Sequence, residues 1–218
     1  SDTWIPFTSE LSKKYNCLLY DFPGHGINQN FPINNVDFTS ISSEIIEGLL
    51  LLNITKTHLI CHSMGGYFGC FLKTNYDKIF HKIVLCNSTL EVDSNIQLKK
   101  RNKMTRILKT SHSLLCKLSF NDLEGKTRKI KETICLACNP LHLIKIQKLI
   151  AKRPDFTYLY TKHHNDMFFI FGDCDNHIPW KITKERAKKR QCILQNEGHT
   201  LPLNSINEWV RLVHYALK

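Results

Sequence analysis

Apolar and polar positions along the chain follow two periods in turn. Trp4, Phe7 and Leu11 recur at helical spacing, with Pro6 tolerated in a first turn. Residues 16–21 (NCLLYD) form a short apolar run that reads as a strand ending in the turn DFPGHG. Phe38, Ile41, Ile45, Leu49 and Leu52 then trace one face of a helix of about four turns, and Asp37 stands where an N-cap would be. Residues 57–61 (THLIC) read as a buried strand, 62–66 as a sharp turn, 67–76 as a helix and 82–86 (KIVLC) as the next strand. From Ser88 to about Asp155 no strand pattern appears, and the stretch reads as several helices. Alternation returns afterwards. Residues 166–171 are a strand, 181–189 a basic helix, 191–194 a strand and 205–217 a final amphipathic helix. The simplest organisation is an α/β domain of residues 1–87 and 156–218, interrupted by a helical insertion at 88–155.

Composition narrows this picture. The 218 residues suffice for one domain with a hydrophobic core, and 42% hydrophobic with 22% charged residues excludes disorder. The longest apolar run, residues 45–52, holds Glu47 and Gly48 and is far short of the roughly 18 residues of a membrane helix. No targeting segment is visible, so a cytoplasmic protein is expected. Nine cysteines leave at least one unpaired. Cys17, Cys61, Cys86 and Cys192 sit in strand-like runs and read as buried, reduced thiols. The charge is +11, and most of the excess lies in 88–155. Its helix over 99–109 carries Lys99, Lys100, Arg101, Lys103, Arg106 and Lys109 beside an apolar side of Met104, Ile107 and Leu108. A solvated face over a packed stripe explains this, with an acidic partner such as an acyl carrier protein as the functional alternative. Without aromatic platforms, nucleic-acid binding is not expected.

Candidate chemistry is sharpest at Cys61-His62-Ser63-Met64-Gly65-Gly66, between a strand and a helix. A Ser in such a turn is lifted clear of the sheet on a strained backbone. Gly65, and the fairly small Cys61, let strand and helix pass closely. The Met64 amide opens the helix and can donate to an oxyanion with the helix dipole behind it. A nucleophilic Ser needs a base, and the base an orienting acid. Gly172-Asp173-Cys174-Asp175-Asn176-His177-Ile178-Pro179 and Asn196-Glu197-Gly198-His199 each follow a predicted strand. Sites of open α/β sheets gather at such strand ends.

On these motifs the chain resembles the α/β-hydrolase superfamily, in its branch of small bacterial esterases. DFPGHG (21–26) is similar to the family's D-x-P-G-x-G loop, CHSMGG (61–66) to its nucleophile elbow, 172–179 to its acid loop and EGHTLP (197–202) to its base loop. The resemblance implies a mostly parallel sheet with 88–155 as a helical cap. It implies Ser63 as nucleophile, His199 as base, Asp175 rather than Asp173 as the orienting acid, and Met64 N–H in the oxyanion hole. It further implies hydrolysis of a small-molecule carboxylic ester or thioester, with no metal or organic cofactor. The competing expectation is a non-catalytic remnant that acts as a binding protein.

Neighbouring residues have plainer readings. His62 and His25 are expected to be structural. Cys135-x-x-Cys138 with His142 hints at metal, but no second pair matches, so none is expected. The family's His-Gly oxyanion loop and first three strands would precede the residues matching SDTW, so an N-terminally truncated fold is expected. Its missing third strand would lie between NCLLY and THLIC. That predicts a fragment of a longer chain, two strands closing up, or a partner in the slot.

Overall fold

The computed structural model describes residues 3–119, 125–178, 180–201 and 205–218. Ser1 and Asp2 of SDTW, and Pro179 and Pro202 of the acid and base loop motifs, lie outside them. Four strands are described: β1 (Thr57–His62), β2 (Phe80–Cys86), β3 (Met167–Gly172) and β4 (Gln191–Leu194). They pair in chain order, and every pair is parallel. Parallel neighbours need crossovers, and helices supply them. α3 (Met64–Asn75) joins β1 to β2, and α9 (Trp180–Ala187) joins β3 to β4.

Alternating side chains of the sheet feed two cores. Val84, Cys86, Phe168 and Ile170 point to one face, where they pack with Phe7 and Leu11 of α1 (Ile5–Leu11) and with Trp209, Val210 and Val213 of α10 (Ile206–Leu217). Phe7 meets Trp209 edge-on at 4.8 Å. On the opposite face Ile83 and Leu85 lie against α3, while Phe169 stacks on Phe171 and Tyr160. Burying each such side chain contributes about 1.5–3 kcal/mol. α2 (Phe38–Leu51) starts at the expected cap: Asp37 Oδ1 accepts from Ser40 N at 2.7 Å, and Ser40 Oγ accepts from Asp37 N. Leu52 falls past the helix end and is exposed, not on the apolar face expected for it.

The largest departure from the sequence reading is at residues 16–20. No strand forms there. Leu18 is 59% exposed, and Cys17 is exposed rather than buried. Among the described residues β1 pairs only with β2, so NCLLY has no ladder to join and the two runs do not close up. An apolar run becomes a strand only where a neighbour takes its amides and carbonyls.

Two compact units can be described. One holds Thr3–Leu18, Glu44–Val92 and Pro154–Lys218, including the sheet. The other holds Leu19–Ser43 and Asp93–Arg153. This division differs from the sequence-derived 88–155 boundary at three places, one of them Pro154 and Asp155, which fall with the sheet. Residues 88–92 stay with the sheet: Leu90 O accepts from Phe156 N, and Glu91 accepts from Tyr160 and Thr183. Residues 19–43 join the helices: Gly24 O accepts from Asn139 N, and Phe31 O lies 2.7 Å from His142 Nε2.

The helical unit contains α4 (Asn95–Thr110), α5 (His112–Ser119), α6 (Gly125–Leu136) and α7 (Pro140–Ala151), and no strand among the described residues. A capping box between Ser94 and Gln97 starts α4. Lys99, Lys100, Lys103, Arg106 and Lys109 are exposed on α4. Arg101 instead binds Asp93, which also accepts from Arg153 at 2.8 Å. Arg101 therefore belongs to an internal ion cluster, not to the exposed basic face.

Candidate active site

The turn from β1 to α3 carries Ser63 at φ 50°, ψ −117°, a left-handed conformation that L residues rarely adopt. Three groups hold it there. Ser63 N donates to Cys86 O at 2.9 Å, Gly66 N donates to Ser63 O at 3.0 Å, and Ser88 Oγ donates to the same carbonyl at 2.9 Å. The close approach falls on Gly66 and Gly69. A Cβ at Gly66 would meet Ser88 Oγ at 2.0 Å, and one at Gly69 would meet Cys61 Sγ at 2.5 Å. The small size of Cys61 therefore serves its packing against Gly69. Met64 is the first residue of α3, where a helix leaves the amide without an intrahelical acceptor.

His199 reaches this turn from the loop after β4. Its Nε2 lies 2.8 Å from Ser63 Oγ, and its Nδ1 lies 2.9 Å from Asp175 Oδ2. The loop after β3 aims Asp175: His177 N and Ile178 N donate to Oδ1 at 2.7 and 3.1 Å. Burial is the largest influence on Asp175 and opposes its ionisation. The hydrogen bond and charge of His199, with the two amides, outweigh it and hold the carboxyl below its usual range. Asp173 takes a different part, accepting from Glu197 N at 3.3 Å. Structure thus brings Ser63, His199 and Asp175 into one hydrogen-bonded line and leaves Asp173 bracing the His199 loop.

Asn87 was not singled out in the sequence, yet it ties three loops together. Its Oδ1 accepts from Gly172 N at 2.8 Å, and its Nδ2 donates to the carbonyls of Gly198 and His199, each at 3.0 Å. Its backbone is left-handed (φ 44°), which Asn tolerates better than most residues. An Asn directly after the apolar, buried end of a strand (Ile83 to Cys86) was the available signal. His62 Nε2 donates to His199 O at 2.7 Å, a structural contact to the same loop. The His177 ring lies beside that of His199, tilted at 37° with 4.7 Å between ring centroids. Close approach is also required at Gly172, where a Cβ would lie 2.2 Å from Glu197 O. His25 turns its Nδ1 to Pro23 O within the DFPGHG loop, whose Asp21 accepts from Ile27 N.

Residues 1–109, half of the chain, match the family model of the alpha/beta hydrolase fold. The chain belongs to the alpha/beta hydrolase fold family. Among curated proteins it is 30% identical over 89 residues to 3-oxoadipate enol-lactonase 1 of Acinetobacter baylyi, a stretch covering 41% of this chain and 33% of that one. The match thus spans about a third of the length of that relative. A thermophilic esterase from Thermogutta terrifontis superposes with a TM-score of 0.84 at 17% identity, over 99% of this chain and 84% of the esterase. The enol-lactonase of Burkholderia xenovorans gives 0.81 at 16% identity, over 99% and 86%. At such identities these two likenesses concern the fold. Among the described residues the sheet of this fold consists of four parallel strands. Among the described residues no single helix is long and apolar enough to cross a membrane.

Proposed function

We propose that the protein is a serine hydrolase of a carboxylic ester or thioester. The observation that carries this reading is the line from Ser63 Oγ through His199 to Asp175, with spacings of 2.8 and 2.9 Å. As Ser63 Oγ attacks the substrate carbonyl, His199 Nε2 takes its proton. Asp175, ionised and fixed by two amides, keeps the Nδ1 proton facing it and stabilises the imidazolium. The Met64 amide donates to the oxyanion as it forms. Collapse expels the alcohol or thiol, protonated by His199, and leaves Ser63 acylated. Water, deprotonated by His199, then attacks the acyl carbon, and His199 returns that proton to Ser63 Oγ as the acid is released. The enol-lactonase relative supports an oxygen-ester substrate, since a lactone is a cyclic ester. Nine unbridged cysteines support a reducing, cytoplasmic setting.

A fluorophosphonate probe combined with hydrolysis of a small aryl ester tests the proposal. Labelling of Ser63, and a loss of turnover on the order of a millionfold in Ser63→Ala, are expected. Absence of labelling in the folded protein would overturn the reading in favour of a non-catalytic binding protein.

A further inference from the structure

The spacing Cys135-x-x-Cys138 with His142 is metal-like, but the fold takes these three side chains apart. His142 Nε2 faces Phe31 O at 2.7 Å, and Cys138 Sγ donates to Ile134 O at 3.3 Å. Cys135, one residue before the end of α6, instead meets two side chains of α5. These are His112 and Cys116, one helical turn apart and so on one face. The ligating atoms of all three lie within 4.8 Å of one another. Cys116 is fully buried. His112 Nε2 is also buried, and it has no hydrogen-bond partner. A buried imidazole nitrogen without a partner is costly. Nothing in the hydrolase reading uses it.

We propose that His112, Cys116 and Cys135 bind one Zn2+ ion. One nitrogen and two sulfurs form a soft donor set, which disfavours Mg2+ and Ca2+. Tetrahedral zinc with Zn–S bonds of about 2.3 Å needs sulfurs roughly 3.8 Å apart, so the three side chains close in by about 1 Å or less. Two thiolates neutralise the ion, and the buried complex carries no net charge. Cysteine is a thiol at neutral pH and ligates zinc as a thiolate, so each gives up a proton on binding. Binding is Zn2+ + 2 RSH → Zn(SR)2 + 2 H+, with His112 supplying a lone pair, and affinity therefore rises with pH. Water takes the fourth position.

The test uses the full chain, reduced and stripped with a chelator, then titrated with ZnCl2 and separately with Co2+. One zinc per chain, release of about two protons per zinc and a sulfur-to-cobalt charge-transfer band are expected. His112→Gln and Cys135→Ser should each weaken zinc binding by about tenfold or more, whereas Cys17→Ser and Cys174→Ser, at exposed thiols elsewhere, should leave it unchanged. Cys116→Ser risks misfolding at a packed position, so the cobalt spectrum and proton release of the unaltered chain stand in for it. Failure to bind zinc, binding unaffected by His112→Gln and Cys135→Ser, or a cobalt spectrum without sulfur character would each overturn the proposal. So would a Cys116–Cys135 disulfide formed on mild oxidation by a chain that takes no zinc when reduced. None of these readouts depends on ester hydrolysis, so the two proposals fail separately.

Discussion

At the carboxyl ends of β1 to β4, loops are bound to one another through side chains, whereas residues 16–20, equally apolar in sequence, enter no ladder. Ser88 grips the Ser63 turn, Asn87 grips the loops after β3 and β4, and Asp175 is fixed before it meets His199. Each of these contacts is made by a specific polar group to a backbone atom. By contrast, Leu18 and Leu19 are 59% and 36% exposed. The difference teaches that the site framework is held by short-range recognition around four strands, while a strand is a property of two neighbours and cannot be specified by its own residues alone.

Substitutions can break the first half of this comparison. The largest effect is expected at Asp175. Asp175→Asn removes the carboxylate that selects the His199 tautomer, and turnover of the proposed hydrolase should fall by about ten-thousandfold with the fold retained. Steady-state kinetics on an aryl ester, checked by circular dichroism, measure it. A loss below tenfold would remove Asp175 from the line and return Asp173 to consideration.

Asn87→Ala should come next. The orphaned Gly172 amide alone costs about 1–3 kcal/mol, and Ala tolerates φ 44° less well than Asn. Denaturant unfolding measures this loss. Because the His199 carbonyl also loses a donor, turnover should drop by tens to about a hundredfold through misplacement of the ring. If stability falls and turnover does not, Asn87 braces the sheet without positioning His199.

Why was Asn87 missed when Ser63, Asp175 and His199 were legible? The three groups of the proposed triad sit in motifs whose neighbours constrain them locally: a small residue before and a Gly after Ser63, a Gly before Asp175, a Gly before His199. Asn87 acts on loops 85 and 112 residues away, and no local pattern marks such a tie. Strands β1 to β4 were legible because each is apolar and each has a neighbour. Residues 16–20 satisfied the first condition and not the second. Cys135 shows the same limit, since its spacing pointed to Cys138 and His142 while the fold brings it to Cys116 and His112.

Acid should erode part of the stability that Asp175 supplies. Its folded carboxyl sits below the usual range, so the unfolded chain takes up the proton more readily. The contribution is complete above the ordinary aspartate value of about 3.9 and is lost as pH falls from there through the lower folded value. Melting temperatures of the native chain and Asp175→Asn should therefore differ at neutral pH and converge in acid. A gap that stays constant down to the acid limit would mean the ionised carboxylate adds nothing to stability.

The smallest effect sharpens the second half of the comparison. Leu18→Ser replaces a side chain that is 59% exposed and belongs to no ladder. Little apolar area is re-exposed, so unfolding free energy should change by no more than about 0.5 kcal/mol. Leu85→Ala is the matched control. Leu85 is fully buried in β2 against α3, and its truncation should cost about 2–5 kcal/mol. Urea midpoints of the two variants measured side by side give the contrast directly. A cost near 2 kcal/mol at Leu18 would mean that the segment is packed in solution, with a neighbour covering it. Hydrogen exchange at the amides of 17–20 would then be slow, like that of β2 and β3, rather than fast as an unpaired segment requires.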